Sequence, residues 1–293
     1  MTLYTYRYVD LPRFTKWSIE KVVRSFNLGL RTICLTLDLG ISTSCIELRD
    51  DSLTLNNCEI HIDELKDLKD DVIYELSTKD CVFRALTIYI GNKFYKLKPV
   101  GEEEAPTIEI SGIQMHRTVG ITPWRDSEIK VRTLGNVRNK RVLDIGTGLG
   151  YTASWALRLG AKEVITIEID ENVLKLAQHN PWSRTLESKG IKIYLANALN
   201  LLPQIPDNSF DIIVHDPPRI SIAGELYSYE FYKELYRVLK PGGKMFHYTG
   251  FPGKHSNISY LKGIKERLSR AGFESIKWIE KAQGFKAFKL KYY

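Results

Sequence analysis

The stretch Arg141–Ala153 reads RVLDIGTGLGYTA and decides the fold of this 293-residue chain. An apolar pair precedes Asp144, glycines stand at positions 146, 148 and 150, and the segment Thr152–Arg158 that follows is helix-like. This order predicts a buried strand, a tight glycine turn and the start of a helix. Glycine lets the backbone approach a ligand closely, and the first turn of a helix offers unpaired N–H groups. The stretch therefore predicts a site for a nucleotide cofactor.

The glycine spacing distinguishes between nucleotide cofactors. The dinucleotide fingerprint requires G-x-G-x-x-G, whereas this loop reads D-x-G-x-G-x-G. It resembles the loop of class I methyltransferases that bind S-adenosylmethionine, and this implies that Asp144 helps to hold the cofactor's ammonium group, directly or through water. A second apolar run, Val164–Ile167, ends at Glu168, whose carboxylate can accept two hydrogen bonds from a ribose diol. The alternative is a glycine-rich turn followed by a solvent-facing glutamate.

Asn197 departs from the pattern of that family, in which the third strand usually ends in an aspartate that accepts from the adenine amino group. Here the sequence reads LANAL, with Asn197 followed by Ala198. The asparagine carbonyl can still accept that hydrogen bond, and its amide can donate to a ring nitrogen. The predicted cofactor-binding residues are Asp144, Gly146, Thr147, Gly148, Gly150, Glu168, Ile169, Asn197 and Ala198.

The second half of the chain alternates helices and strands. We predict helices over 171–178, 229–239 and 258–271, and strands over 192–196, 212–215, 244–248, 275–280 and 286–291. This alternation indicates an α/β, doubly wound sheet that ends in an antiparallel hairpin, and the resemblance implies the seven-stranded methyltransferase sheet. Ligands bind at the carboxyl ends of parallel strands, so Asp144, Glu168, Asn197 and Asp216 should share one rim.

The first third of the chain is predicted to be a small α+β, β-rich module. A helix is expected over 18–26 with Ser18 as its N-cap, followed by strands over 31–39, 45–48, 52–55, 72–76 and 81–90. The charged stretch 102–106 ends in proline and is typical of a linker. We therefore expect two domains, 1–105 and 106–293.

The four cysteines all lie in this first third, with no C-x-x-C pair. This spacing favours buried free thiols over a metal site, and no metal is expected. No run of eighteen apolar residues occurs, and the N-terminus lacks the apolar centre of a signal peptide. We therefore expect a cytoplasmic protein without membrane association, and the oligomeric state remains open.

Charge is unevenly distributed along the chain. Residues 1–110 hold 14 Lys and Arg against 18 Asp and Glu, a net −4, whereas residues 111–293 hold 28 against 17, a net +11, which together give +7. The basic half contains the glycine loop, as expected for an enzyme that acts on a polyanion such as RNA. The alternative is a lysine-rich solvated face, most obviously over 277–291.

The chemistry is predicted to lie at Asp216, Pro217, Pro218 and Arg219, which directly follow the apolar run FDIIV. Enzymes that methylate exocyclic amino groups of bases have a (D/N/S)-P-P-(aromatic) tetrad at this point. The resemblance implies that Asp216 and the carbonyl between the prolines accept from the target amino group. Arg219 replaces the aromatic residue, and its guanidinium can stack on a base, hold a phosphate or hold a carboxylate. The alternative is a rigid loop in which Asp216 caps the next segment.

The segment 115–130, MHRTVGITPWRDSEIK, is either a wall of the site or a stretch at a domain interface. The predicted substrate-binding residues are Arg117, Trp124, Arg125 and, at the end of a later strand, Tyr248.

Taken together, HDPPR, GELYSYEFYKELYRVLKPGG and FHYTGFPGK resemble a family of predicted archaeal methyltransferases related in outline to spermidine synthases. The resemblance covers roughly residues 112–290 and implies a class I fold, S-adenosylmethionine and an archaeal source, but it does not supply a substrate. The tetrad at Asp216 and the basic charge of residues 111–293 lead us to expect RNA modification, namely N-methylation of a nucleobase. Two alternatives stay open. One is an aminopropyltransferase or a methyltransferase of a small amine or other small molecule, and the other is a non-catalytic module that keeps the fold.

Overall fold

The computed structural model describes residues 2–69, 71–251 and 259–291. The chain divides into two compact units, of which one comprises Met1–Tyr6, Arg125–Leu174 and Thr185–Tyr293 and the other Arg7–Trp124 and Lys175–Arg184. We call them the sheet unit and the N-terminal unit. The predicted boundary between residues 105 and 106 stays a prediction.

Strands predominate in the first part of the chain, and helices alternate with strands in the second. The first part contains β1 (Thr2–Tyr4), β2 (Arg13–Phe14), α1 (Lys16–Asn27), β3 (Thr32–Leu35), β4 (Ser44–Arg49), β5 (Ser52–Leu55), β6 (Cys58–His61), α2 (Ile62–Lys66), β7 (Tyr74–Ser77), β8 (Val82–Ala85), β9 (Thr87–Ile90), β10 (Lys93–Lys98), β11 (Thr107–Ile110) and β12 (Ile113–Gln114). The second part contains α3 (Pro123–Arg132), β13 (Arg141–Ile145), α4 (Tyr151–Arg158), β14 (Glu163–Glu168), α5 (Glu171–Gln178), β15 (Ile191–Leu195), α6 (Ala198–Leu201), β16 (Phe210–His215), α7 (Tyr229–Val238), β17 (Leu239–Tyr248), α8 (Ser259–Arg270), β18 (Glu274–Ile279) and β19 (Gly284–Phe288).

The sheet unit is built on one eight-stranded sheet in the order β1-β15-β14-β13-β16-β17-β19-β18. The strands from β15 to β17 in this order are parallel, and β19 and β18 form the antiparallel end. The predicted α/β, doubly wound methyltransferase sheet is confirmed, but it has eight strands where seven were expected. The additional strand is β1, which pairs antiparallel with β15. A three-residue strand has too little alternation to be recognised from sequence.

The strand register brings the predicted site residues to one edge. Ile145, the last residue of β13, pairs with Ile167 on one side and with His215 on the other. Glu168 and Asp216 therefore each stand one residue beyond that level, at the carboxyl ends of the two strands that flank β13.

The core of the sheet unit forms because both faces of the central strands are apolar and covered. In α7, the side chains of Phe231, Leu235 and Val238 are buried at helical spacing. The helix begins after Ser228, whose hydroxyl accepts from the Phe231 N–H at 3.1 Å. Within the described residues, no helix has the length and apolar character that a bilayer crossing requires.

The N-terminal unit contains three small antiparallel sheets, β3-β4-β5-β6, β2-β7-β8 and β12-β11-β10-β9. The predicted N-cap of α1 is wrong by three residues. Thr15 is the N-cap, and Ser18 lies inside the first turn, where its hydroxyl accepts from the Thr15 N–H at 2.8 Å.

The expectation of free thiols is also wrong. Cys34 pairs with Cys45 and Cys58 with Cys81 in two disulfides. Cys34 and Cys45 stand directly opposite each other on β3 and β4. Cross-strand neighbours come this close only once the register is fixed, and the linear spacing of the cysteines does not show it.

Candidate active site

The glycine loop connects the end of β13 to the start of α4. Gly146, Gly148 and Gly150 have φ values of +89°, +53° and +74°, in the region that side chains disfavour. A Cβ on Gly146 would lie 2.7 Å from the carbonyl oxygen of Asp216, and one on Gly150 would lie 2.5 Å from Leu186. Glycine at these two positions therefore lets the loop pack closely against Asp216 and Leu186.

Asp144 lies beneath this loop and is completely buried. The hydroxyls of Thr152 and Thr166 donate to its two carboxylate oxygens at 2.8 and 2.7 Å. Burial raises the pKa of Asp144 to about 7, against the effect of these two hydrogen bonds. The carboxylate thus fastens β13 to β14 and to the first turn of α4, and its expected contact with the cofactor remains a proposal.

Glu168 ends β14 with its carboxylate turned towards the glycine loop. It accepts from the backbone N–H groups of Gly148, Ile169 and Asp170 at 2.9 to 3.0 Å. Burial raises the pKa of Glu168, and the three hydrogen bonds oppose this effect. Ile169 beside it is 66% exposed, although it is a large apolar residue. A fixed carboxylate next to an uncovered apolar side chain fits the ribose and adenine of a nucleoside.

Asn197 is the N-cap of the short helix α6. Its side-chain oxygen accepts from the Leu199 N–H at 2.9 Å, and Ala198 is buried. The side-chain amide of Asn197 remains the group suited to a ring nitrogen, so its role towards adenine is a proposal. Thr147 in the glycine loop bonds through its hydroxyl to that of Thr166 at 2.7 Å.

The Asp216 carboxylate is held by a lysine that the sequence did not indicate. The Lys130 Nζ donates to both Asp216 oxygens, at 2.8 and 3.0 Å, and to Asp126 at 2.9 Å. It also lies 4.0 Å from the centre of the Tyr248 ring. Only 5% of the Lys130 side chain is exposed, compared with 18% of Asp216. We call Asp126, Lys130, Asp216 and Tyr248 the lysine cluster.

The charged groups of the lysine cluster determine the protonation states of Lys130 and Asp216. Burial lowers the pKa of Lys130, but Asp216, Asp126 and Tyr248 together outweigh this effect and raise it, so the ammonium is permanent at neutral pH. Burial raises the pKa of Asp216, whereas Lys130 opposes that rise. Lys130 therefore favours the ionised form of the Asp216 carboxylate.

The Pro217-Pro218 backbone is fixed from two sides. The Asp216 N–H donates to the carbonyl of Ile145 at 3.1 Å, and the Tyr227 hydroxyl donates to the carbonyl of Pro218 at 2.9 Å. Pro217 is buried, and Arg219 is exposed. The structure thus presents Asp216 at the rim on a rigid loop.

A buried histidine pair lies directly below this loop and was not recognised from the sequence. His215 and His247 stack with ring centres 4.4 Å apart. His247 Nε2 bonds to the Tyr232 hydroxyl at 2.8 Å, and His215 Nε2 to the carbonyl of Leu226 at 2.9 Å. Burial lowers the pKa of His215 to about 4 and also lowers the pKa of His247 well below its usual value, so the pair is neutral at physiological pH. The only sign of this pair in the sequence is that histidines stand near the ends of two apolar runs, at positions 215 and 247.

The remaining predicted substrate residues are divided between the two units. Tyr248 lies in the lysine cluster, as described above. Arg125 pairs with Glu128 and is mostly exposed, on a different face of α3 from Asp126 and Lys130. Arg117 and Trp124 belong to the N-terminal unit, where the Trp124 ring lies 5.3 Å from that of Trp182. Their part in binding a substrate stays a prediction, and residues 252–254 of the motif FHYTGFPGK lie outside the described residues.

The chain is similar to known proteins in sequence and in fold. Residues 143–247 match the family model of a methyltransferase domain. The spermidine synthase from Thermotoga maritima has a similar fold, with a TM-score of 0.52 and 21% identity, over 73% of this chain and 77% of that one.

Three relatives differ in their sequence identity to this chain and in the share of each protein that the match covers. The chain is 27% identical over 219 residues to the polyamine aminopropyltransferase of Prochlorococcus marinus, which covers 69% of this chain and 71% of that protein. It is 28% identical over 156 residues to the ribosomal RNA large subunit methyltransferase I of Aliivibrio fischeri, which covers 50% of this chain and 39% of that protein.

The third relative is the uncharacterized protein MJ1233 of Methanocaldococcus jannaschii, with 46% identity over 233 residues and 79% of each protein covered. The chain therefore belongs to the family of this archaeal protein, and it contains a methyltransferase domain.

Proposed function

We propose that this enzyme methylates an exocyclic amino nitrogen of a nucleobase in RNA. The observation that supports it most is the position of Asp216. Asp216 directly follows β16 on a rigid loop, and its backbone carbonyl oxygen lies 2.7 Å from where a Gly146 Cβ would be. An acceptor of hydrogen bonds thus stands beside the loop that we assign to the cofactor.

The cofactor would be held by groups at the ends of two strands, β13 and β14. Glu168 would accept from the ribose hydroxyls, Ile169 would cover the adenine, and the glycine loop would supply backbone N–H groups. Asp144 would act by holding that loop in place. S-adenosylmethionine, when bound, supplies a methyl group on a positively charged sulfur.

Asp216 would orient the nucleophile rather than remove its proton. By accepting from the target N–H group, its carboxylate fixes the direction of the nitrogen lone pair and stabilises the positive charge that develops on nitrogen. The proton can leave after the new N–C bond has formed, so no strong base is required. The carbonyl of Pro217 is the second candidate acceptor.

RNA is favoured as substrate by two observations. Residues 111–293 have a net charge of +11, which suits a polyanion. One relative is named as a ribosomal RNA methyltransferase, although the match covers less than half of that protein. The polyamine aminopropyltransferase relative favours the second candidate, transfer to a small amine.

The proposal is tested first on RNA and then on Asp216. Mass spectrometry should find a methylated nucleoside in total RNA from a strain with the gene and not in RNA from a deletion strain. In vitro, Asp216→Ala should lower kcat by roughly 10² or more, while calorimetry shows nearly unchanged cofactor affinity. Asp216→Asn keeps an acceptor and should retain more activity than Asp216→Ala.

The matched control is Asp207→Asn, since the Asp207 side chain is 69% exposed. It should behave like the parent enzyme. Full activity of Asp216→Ala would show that the loop is only structural. Equal inactivity of the two Asp216 variants would instead point to a role for its charge or for proton transfer.

A further inference from the structure

The charges in the lysine cluster bear on whether this site can bind a polyamine. The chain shares its fold with a spermidine synthase and is 27% identical to a polyamine aminopropyltransferase. A polyamine is a multiple cation, and carboxylates are the groups that would attract it. Asp126 and Asp216 form such a pair of carboxylates at this site, but a lysine ammonium stands between them.

Both Asp216 oxygens are bound to the same ammonium, at 2.8 and 3.0 Å. A substrate ammonium that donated to either oxygen would therefore come close to Lys130 Nζ, in a poorly hydrated site where like charges repel strongly. An uncharged N–H₂ group would meet no such repulsion. It could still donate to a lone pair of Asp216, because each carboxylate oxygen accepts more than one hydrogen bond.

Lys130 is itself unable to move away easily. Its side chain is 5% exposed, it is bonded to Asp126 at 2.9 Å, and its Nζ lies 4.0 Å from the centre of the Tyr248 ring. With all three groups ionised, Asp126, Lys130 and Asp216 have a net charge of −1, and removal of the lysine would make it −2. The ammonium is thus a fixed part of the site.

We propose that Lys130 is a specificity-determining residue, which fixes Asp216 as an acceptor for an uncharged amino group and excludes polyamines. This inference rests on the proposed function in one respect, namely that Asp216 faces the substrate. Lys130 acts through Asp216 and is a positioning residue.

The test measures spermidine binding by calorimetry in the presence of S-adenosylhomocysteine. The parent enzyme should bind spermidine weakly, and Lys130→Met, which keeps a linear side chain without charge, should bind it at least tenfold more tightly. Lys130→Arg should resemble the parent. The control is Lys262→Met, which removes the same charge from a side chain that is 75% exposed and should leave spermidine binding unchanged.

A pH profile separates this role from a merely structural one. Because Lys130 opposes the effect of burial on the pKa of Asp216, the acidic limb of methyl transfer should move to higher pH in Lys130→Met and stay in place in Lys130→Arg. If Lys130→Met does not fold, the double variant Lys130→Met/Asp216→Asn removes both charges, and it should bind spermidine no better than the parent.

Two results would overturn the inference. One is a parent enzyme that binds spermidine at the site as tightly as Lys130→Met, and the other is an equal gain in Lys262→Met. The contrast in spermidine binding does not depend on RNA methylation. If no methylated nucleoside is found but the contrast in spermidine binding holds, the proposed RNA substrate fails and the role of Lys130 stands.

Discussion

At the scale of single residues, the site depends on carboxylates that are kept away from water. Asp144 is completely buried between two threonine hydroxyls, and Glu168 is enclosed by three backbone N–H groups. Burial disfavours the charged form of a carboxyl group unless hydrogen bonds or cations compensate. The two residues therefore combine a structural function with any contact to the cofactor.

The buried carboxyl of Asp144 should make stability depend on pH. Its pKa is raised to about 7 in the folded state, so the folded state holds its proton more tightly than the unfolded state. This stabilisation is fully present below about pH 4 and is lost as the pH rises through 7, with a slope of at most about 1.4 kcal/mol per pH unit. In thermal melts, Asp144→Asn should gain in Tm relative to the parent between pH 5 and pH 8.

The exposed Asp207→Asn variant serves as control and should show no such change with pH. A Tm difference between Asp144→Asn and the parent that is identical at pH 5 and pH 8 would mean that Asp144 is ionised throughout.

Glu168 offers a test of cofactor binding that does not require a known substrate. Glu168→Ala removes the acceptor that we assign to the ribose, and the loss of a charged hydrogen bond costs about 1.5–3 kcal/mol. Calorimetry should therefore show cofactor affinity at least tenfold weaker than in the parent. Glu266→Ala, at a side chain that is 62% exposed, should bind normally. Unchanged affinity in Glu168→Ala would remove the ribose assignment.

The sequence indicated the carboxylates Asp144, Glu168 and Asp216, but it did not indicate the lysine that binds Asp216. Asp144, Glu168 and Asp216 each stand at the end of an apolar run, and strand ends are where such folds bind ligands. Lys130 lies 86 residues before Asp216, on α3, and its only local signal is the i,i+4 spacing to Asp126. That spacing is equally typical of an exposed helix pair, so the buried contact could not be inferred.

At the scale of elements, helices and several short strands, such as β5 over 52–55, were predictable, whereas a break within an apolar run was not. α5 occupies 171–178, as predicted, and α4 begins only one residue before the predicted start. The single strand predicted over 81–90 is in fact β8 and β9, separated by the buried Leu86. The break between β8 and β9 depends on which neighbouring strands each of them pairs with. Because apolar residues occur on both sides of the break, the sequence looks like one continuous strand.

The two disulfides lead to a prediction for the N-terminal unit. Denatured protein purified without reductant should have no thiol that reacts with an alkylating reagent, and after reduction it should have four. The double variant Cys34→Ser/Cys45→Ser should be less stable by about 2–4 kcal/mol, since a crosslink restricts the unfolded chain. Four reactive cysteines before reduction would show that the thiols are free, as the sequence spacing suggested.

At the scale of the whole molecule, charge is the property that bears on the partner. The net charges of −4 and +11 in the two parts of the chain were evident from sequence, because counting charges requires no fold. Where the basic residues gather in space was not evident. Lys277, for example, lies directly opposite Lys286 on β18 and β19.

RNA binding should accordingly be driven by phosphate contacts. In gel-shift titrations with total RNA, the logarithm of the association constant should fall linearly with the logarithm of the salt concentration. Replacement of both Lys277 and Lys286 by glutamine should make this slope shallower, whereas Lys66→Gln, in the N-terminal unit, should not. No RNA shift at low salt, or affinity that ignores salt, would argue for a small substrate.

The eighth strand has a consequence for how the protein is made. Thr2 of β1 pairs with Leu195 of β15, so at 5–20 residues per second β1 leaves the ribosome roughly 10–40 s before its partner exists. Strands β13, β14 and β15 can meanwhile pair in the order of their synthesis. β1 is therefore made before these strands but is among the last to join the sheet, and by joining it closes the exposed edge of β15 against strands from other nascent chains.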